Sequence, residues 1–197
     1  MSGAQLPLEQ QAVFRYIEAD VTDDAKDEVV RELAARLGSG EGTLLVLVES
    51  LGRYLTHGDS TLRAQGTELL SAVLADSGGD GLKLPVAQVS YLVQFYCDRF
   101  KDLQSIPAAL RGIIAVMRGQ GLPKGEEPAA SVAVARAVFR ELHTQSLSQT
   151  SRALVFQLFD LLLLPRGDSA DTRWRTELVE GMGTDFVYGF VQVRCSL

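Results

Sequence analysis

The stretch "YLVQFYCDRFKDLQSIPAALRGIIAVMR" at residues 91–118 decides the fold class of this chain. Its apolar residues recur every three or four positions, first as far as Phe100 and again from Leu110 onward. This spacing places them on one side of a helix. Pro107 stands near the start of the second run, where a missing backbone N–H costs nothing. We therefore predict two amphipathic helices joined by a polar turn.

The same arrangement recurs along the 197 residues. Glycine-rich segments at 38–42, 78–81 and 119–125, followed by "PRGD" at 165–168, divide the chain into blocks of roughly 40 residues. Each block contains two apolar stripes at helical spacing. In two successive blocks the stripes are Leu44, Leu47, Val48, Leu51 and Leu55 with Leu62, Leu69, Leu70 and Val73, then Val89, Leu92, Val93, Tyr96 and Phe100 with Leu110, Ile113, Ile114 and Met117. Pro85 and Pro128 also fall at expected helix starts, and Pro165 falls at an expected helix end.

These repeats predict an all-α fold, a right-handed HEAT-type α-solenoid of four helix hairpins plus an incomplete fifth. A helix pair whose apolar stripe is too wide to bury within itself needs a similar pair stacked on each side. We expect one array over residues 1–197, with units at 7–37, 42–76, 85–118, 128–164 and 172–193.

The match between successive units is one of pattern rather than identity. Shifting "RAQGTELL" at 63–70 forward by 44 positions lays it on "PAALRGII" at 107–114, which aligns the apolar positions better than it aligns Gly66 with Gly112. The segment "TDFVYGFVQV" at 184–193 is predicted to be helical, although its β-branched and aromatic residues also suit a strand.

The turn "HGDSTLRAQ" at 57–65 leaves two interpretations open. Asp59 can cap the following helix by accepting a hydrogen bond from its free N–H groups. Arg63 either reaches an acid in a neighbouring unit or is simply solvated, and an exposed pair would contribute little. In both cases the predicted role is structural.

Composition argues against several function classes. A net charge of −6 without any basic run is unlike a nucleic-acid-binding surface. Two cysteines, Cys97 and Cys195, do not make a disulfide framework. The N-terminus lacks the pattern of a signal peptide, and the most apolar stretch, 154–164, is short and contains Asp160. We expect a soluble intracellular protein without direct nucleic-acid or membrane binding.

No catalytic or ligand-binding constellation is visible in the residues. His57 and His143 lack a second ligand at metal-binding spacing, and the two cysteines are far apart, whereas an iron-sulfur cluster ordinarily needs four thiolates. The loop "GQGLPKGEE" at 119–127 lacks the ending of a phosphate-binding loop and is predicted to be a linker. We therefore predict no catalytic, cofactor-binding or metal-binding residues, and no stoichiometric iron or zinc in the purified chain; partner-binding residues are not identified.

An acidic group at the start of a predicted helix has two explanations. It consists of Asp20, Asp23, Asp24, Asp27 and Glu28. These acids could bind a basic partner. Their position near a helix N-terminus also favours negative charge, which is the simpler account.

Besides the repeats, three segments of the chain resemble the N-terminal region of the MMS nineteen nucleotide excision repair proteins, and they occur in the same order. They are 92–116, 138–156 and 183–193. Their most specific parts are "FY-x-x-R-x-KD" at 95–102, "H-x-QSL" at 143–147 and "DF-x-x-GF-x-QV" at 185–193. The block at 48–74 resembles the family's first well-formed repeat, so the resemblance extends from about residue 27 to residue 193.

The resemblance implies a non-enzymatic adaptor of the cytosolic iron-sulfur protein assembly targeting complex. Such an adaptor helps to deliver clusters to DNA-repair, replication and transcription proteins, and it binds the other subunits of that complex and a helicase-containing transcription factor. It also implies the nucleus, the cytoplasm and the mitotic spindle as locations, and no cofactor of its own. A generic HEAT-type scaffold in another complex, or a helical enzyme, remains the alternative.

Members of that family are several times longer than 197 residues. The expectation is therefore a truncated form whose last residues, 184–197, fray unless self-association or a partner covers them. Hydrogen exchange on a dilute monomer tests this, because strong protection of the amides at 186–191 would contradict it.

Overall fold

A computed structural model describes residues 7–18, 21–77, 82–120, 127–142 and 146–163, together with the single residues 176 and 180. Within these residues the chain is all-helical and contains no β-strand, as predicted. The eight helices of this part are α1 (Leu8–Ile17), α2 (Asp23–Ser39), α3 (Leu44–Leu55), α4 (Ser60–Asp76), α5 (Val86–Arg99), α6 (Ile106–Gly119), α7 (Glu127–Glu141) and α8 (Gln149–Leu163).

The helices pack in sequential pairs. Helix α1 packs on α2, α3 on α4, α5 on α6 and α7 on α8. Neighbouring pairs meet mainly through their second helices, because α2 packs on α4, α4 on α6 and α6 on α8. Among the first helices, α1 packs on α3 and α5 on α7. Helix α6 therefore lies between α4 and α8, with α5 beneath it.

Capping side chains stabilise the starts of three helices. Thr22, Thr43 and Asp59 each accept a hydrogen bond from a backbone N–H in the first turn of α2, α3 and α4. Such caps satisfy donors that the helix leaves free, and each contributes about 1 kcal/mol. At the other end of α2, Gly40 has φ of 78°, a left-handed conformation that glycine adopts without strain.

The three prolines that were expected at helix starts stand there. Pro85 directly precedes α5, Pro107 lies in the first turn of α6, and Pro128 is the second residue of α7. Pro165, expected at a helix end, lies outside the described residues.

The predicted stripes form the core. Their members are buried, except for Val48 and Leu62, which are partly buried against the core. Full burial of a leucine or isoleucine side chain stabilises the fold by about 2 kcal/mol. The largest fully buried side chains are Tyr96, Phe100, Phe159, Leu51, Leu69, Leu70, Leu92, Leu110, Ile113, Leu158 and Leu162.

Two glycines allow the helices of a pair to approach closely. In the second pair, a Cβ on Gly66 would lie 3.2 Å from the Cβ of Tyr54 on α3. In the third pair, a Cβ on Gly112 would overlap the ring of Tyr96 on α5. Gly66 and Gly112 thus occupy equivalent places, each beneath a tyrosine of the first helix. The 44-position shift that aligns the apolar positions therefore does not align these two glycines.

Candidate protein-binding surface

The turn at 57–59 connects α3 to α4 within the second helix pair, and Arg63, at the start of α4, links it to the third pair. Asp59 accepts a hydrogen bond from the backbone N–H of Thr61 at 2.8 Å, which caps α4. Arg63 donates from Nε to the Asp102 carboxylate at 2.8 Å and from Nη1 to the carbonyl of His57 at 2.7 Å. The two charged side chains are 24% and 15% exposed. The interpretation in which Arg63 reaches an acid in the neighbouring unit is therefore confirmed.

The segment "FYCDRFKD" supplies further links between the same two pairs. Arg99 donates to the Leu55 carbonyl at 3.0 Å, and its guanidinium lies 4.9 Å from the centre of the Phe95 ring. Tyr96 is completely buried and its hydroxyl lies 3.3 Å from the Ser71 hydroxyl. Burial raises the pKa of Tyr96 above its usual range. The residues of this segment, which carry part of the resemblance to the excision repair proteins, therefore stabilise the fold.

A similar link joins the first pair to the second. Glu18, at the end of α1, forms an ion pair with Arg53 and accepts a hydrogen bond from the Tyr54 hydroxyl at 2.6 Å. Burial raises the pKa of Tyr54, so its hydroxyl stays protonated and continues to donate. Each of the first two junctions between pairs thus contains a charged contact.

The histidines and cysteines considered as ligands do not form a site in the described residues. His57 lies in the turn before α4, and its Nδ1 accepts the backbone N–H of Asp59 at 3.0 Å. Cys97 is buried in α5, and this burial, with a smaller effect of Asp98, raises the pKa of its thiol to about 12. No cluster of three potential metal ligands occurs in the part of the chain that the structure describes. His143 and Cys195 lie outside that part.

Two other sequence features are only partly described. Asp23 and Asp24 lie in the first turn of α2, the position that the helix-dipole explanation requires, whereas Asp20 is outside the described residues. Asp27 and Glu28 are exposed. Of the loop at 119–127, only residues 119, 120 and 127 are described.

A groove lies where α4, α6 and α8 meet. We call it the α4/α6/α8 groove; its volume is about 480 Å³ and its described lining is Ala75, Arg111, Ile114, Ala115, Arg118, Gly119, Leu154 and Gln157. Small and aliphatic side chains form most of the lining. The sequence did not indicate this groove, because its residues come from three helices and are brought together only by the packing of the second helices.

The charges of the groove are positive. Arg111 and Arg118 line it from α6, and its described lining includes no carboxylate. Arg111 also forms an ion pair with Glu68 on α4; the two side chains are 42% and 34% exposed. The Nε of Arg111 is buried and has no hydrogen-bond partner among the described residues. Arg118 is exposed.

Stacked helix pairs, charged junctions and an apolar groove define the class of this chain, an all-helical protein with a surface suited to protein binding. No described helix is both long enough and apolar enough to cross a membrane.

The comparison with known proteins identifies the family. The sequence model described as "Dos2-interacting transcription regulator of RNA-Pol-II" matches residues 48–194. The chain is 34% identical over 185 residues to the MMS19 nucleotide excision repair protein homolog of Xenopus laevis, covering 93% of this chain and 16% of that protein. It is 36% identical to the homolog of Mus musculus and 34% identical to that of Homo sapiens, each over 163 residues that cover 82% of this chain and 14% of the relative.

The chain belongs to the MMS19 family and matches its N-terminal region. This confirms the resemblance seen in the sequence. The chain spans only 14% to 16% of the length of these three relatives.

Proposed function

We propose that this chain is a non-enzymatic adaptor of the cytosolic iron-sulfur protein assembly targeting complex, where it helps to deliver clusters to DNA-repair, replication and transcription proteins. The observation that carries the proposal is the family match over residues 48–194. The names of the relatives refer to nucleotide excision repair, and the description of the family model refers to regulation of RNA polymerase II transcription; both are in keeping with such clients.

The proposed architecture is a right-handed HEAT-type solenoid with units at 7–37, 42–76, 85–118, 128–164 and 172–193. The continuous row of second helices and the contact between Arg63 and Asp102 across two pairs support it. Of the fifth unit, only residues 176 and 180 are described. A stack of this kind offers an extended surface to other proteins, which suits an adaptor.

The cluster is the cargo of this machinery. In the proposed division of work, other subunits and the client proteins hold it, while this chain binds proteins without a cofactor of its own. Its partners are the other subunits of the targeting complex, iron-sulfur client proteins and a helicase-containing transcription factor. Nucleic acid and membranes are not direct partners, and the proposed locations are the nucleus, the cytoplasm and the mitotic spindle.

Affinity purification tests the proposal. The tagged chain is expressed in cells, and the proteins bound to it are quantified against a tagged helical-repeat protein of similar length. We expect enrichment of the other assembly subunits and of iron-sulfur clients. Enrichment of an unrelated complex would instead favour the generic scaffold. Turnover of a small-molecule substrate by the purified chain would favour the helical enzyme.

A further inference from the structure

We propose that the α4/α6/α8 groove binds a segment of a partner protein in which an aliphatic or aromatic residue stands beside carboxylates. This inference rests on the proposed function as a protein adaptor and names the chemistry of one partner segment.

The groove is suited to an apolar anchor. Its volume of about 480 Å³ lies within the range of sites that take up organic ligands. Ile114, Ala115 and Leu154 form apolar lining, and Ala75 leaves room at one side because its side chain is small. An apolar side chain inserted between helices in this manner is a common mode of peptide recognition.

The arginines select the charge of the partner segment. Arg111 and Arg118 are seven residues apart on α6, so they lie about two turns, or roughly 10 Å, apart on one side of the helix. A guanidinium binds a carboxylate through two parallel hydrogen bonds. The whole chain has a net charge of −6, so a lining with two arginines and no described carboxylate differs from its average surface.

Glu68 controls how much of Arg111 is available. It pairs with Arg111, and its own side chain is 34% exposed beside the groove. A carboxylate arriving in the groove must share Arg111 with Glu68 and is repelled by its charge. Neutralising Glu68 is therefore expected to strengthen the binding of an acidic segment. A damaged fold would not produce this gain.

The observations favour a protein segment over nucleic acid. Binding to a phosphate backbone needs a run of cations, and affinity grows with the number of phosphates contacted. The groove has two arginines and a mostly apolar lining. Protein interfaces instead combine a buried apolar surface with a few charged hydrogen bonds at its edge.

The test uses an unbiased probe, a displayed library of random twelve-residue peptides selected on the full chain. Enriched peptides are synthesised with a fluorescein label, and their affinity is measured by fluorescence anisotropy. We expect enriched sequences to place Asp or Glu next to Leu, Ile or Phe. Arg111→Glu together with Arg118→Glu should weaken their binding by about 10-fold or more, and Ala75→Trp should block the groove without changing charge. Glu68→Gln should tighten binding by about 3-fold.

The matched control is Arg140→Glu, which changes the same charge at an exposed arginine on α7 and should leave the affinity unchanged. Basic or uncharged enriched peptides, no enriched peptide, or acidic peptides insensitive to the groove variants would overturn the inference. Tighter binding of single-stranded DNA than of any peptide, lost in the same variants, would also overturn it. If acidic peptides bind the groove but the assembly subunits do not co-purify with the chain, the adaptor function alone is refuted. If the subunits co-purify but no acidic peptide binds the groove, the groove proposal alone is refuted.

Discussion

The close approach of α5 and α6 depends on one missing side chain. Gly112 lies against Tyr96, and a Cβ at this position would overlap the Cζ and Cε1 of the ring and lie 2.7 Å from the Ser71 hydroxyl. The ring cannot move aside easily, because Tyr96 is completely buried and packs edge-on against Phe95 at 5.2 Å between ring centres. Gly112→Ala should therefore destabilise the fold.

The magnitude follows from two opposing effects. Replacing glycine by alanine within a helix normally stabilises it by about 0.5–1 kcal/mol. Adding a methyl group to a well-packed core costs about 1–3 kcal/mol, and the overlap at Gly112 is deep and involves an enclosed ring, which places the cost at the upper end. The expected net loss is about 2 kcal/mol in the free energy of unfolding.

Urea unfolding followed by circular dichroism measures this loss. The matched control is Gly52→Ala in α3, where a Cβ would meet no atom within 4 Å and the helix-propensity gain should appear alone. We expect a lower midpoint for Gly112→Ala and a slightly higher one for Gly52→Ala, with unchanged slopes. Equal stabilisation by both substitutions would show that α5 and α6 do not pack as described.

Further predictions concern the junctions and the buried thiol. A double-mutant cycle on Arg63→Ala and Asp102→Ala should give a coupling of about 1–2 kcal/mol, since the pair is partly buried, and a coupling near zero would contradict the proposed junction. In a Cys195→Ser background, Cys97 should react with Ellman's reagent near pH 8 only after unfolding, because its thiol is buried; rapid labelling of the native chain would disprove this. The raised pKa of Cys97 also favours the protonated thiol in the folded state. Stability should therefore fall as pH rises above the ordinary thiol value of 9.0 toward about 12, and a urea midpoint that does not fall over this range would contradict it.

Local sequence was sufficient to predict the helices and their pairing. The apolar stripes of α3 to α6 have strict helical spacing, and Asp59 and Pro107 mark helix starts by chemistry that acts within one turn. These signals depend on neighbouring residues alone, so tertiary packing did not alter them.

Contacts between pairs were harder to predict. The acid that meets Arg63 lies 39 positions later in the turn before α6, so the sequence left a solvated arginine equally open. The register of Gly112 was missed because the segment between Tyr96 and α6 is longer than the one between Tyr54 and α4. A single shift along the sequence therefore cannot align both helices of one pair with both helices of the next. The α4/α6/α8 groove was invisible for a related reason, since its lining depends on how three distant helices meet.

The charged contacts between successive pairs bear on the order in which the chain assembles. Apolar stripes are interchangeable, so a stack built from them alone could join the wrong neighbours or exchange pairs between two chains. Here Glu18 meets Arg53, Arg63 meets Asp102, and Arg111 meets Glu68. Arg63 and Asp102 are the least exposed of these pairs, at 24% and 15%, so a misordered stack that separated them would leave a partly buried charge without its partner. These charged contacts thus favour the native order of the first three helix pairs.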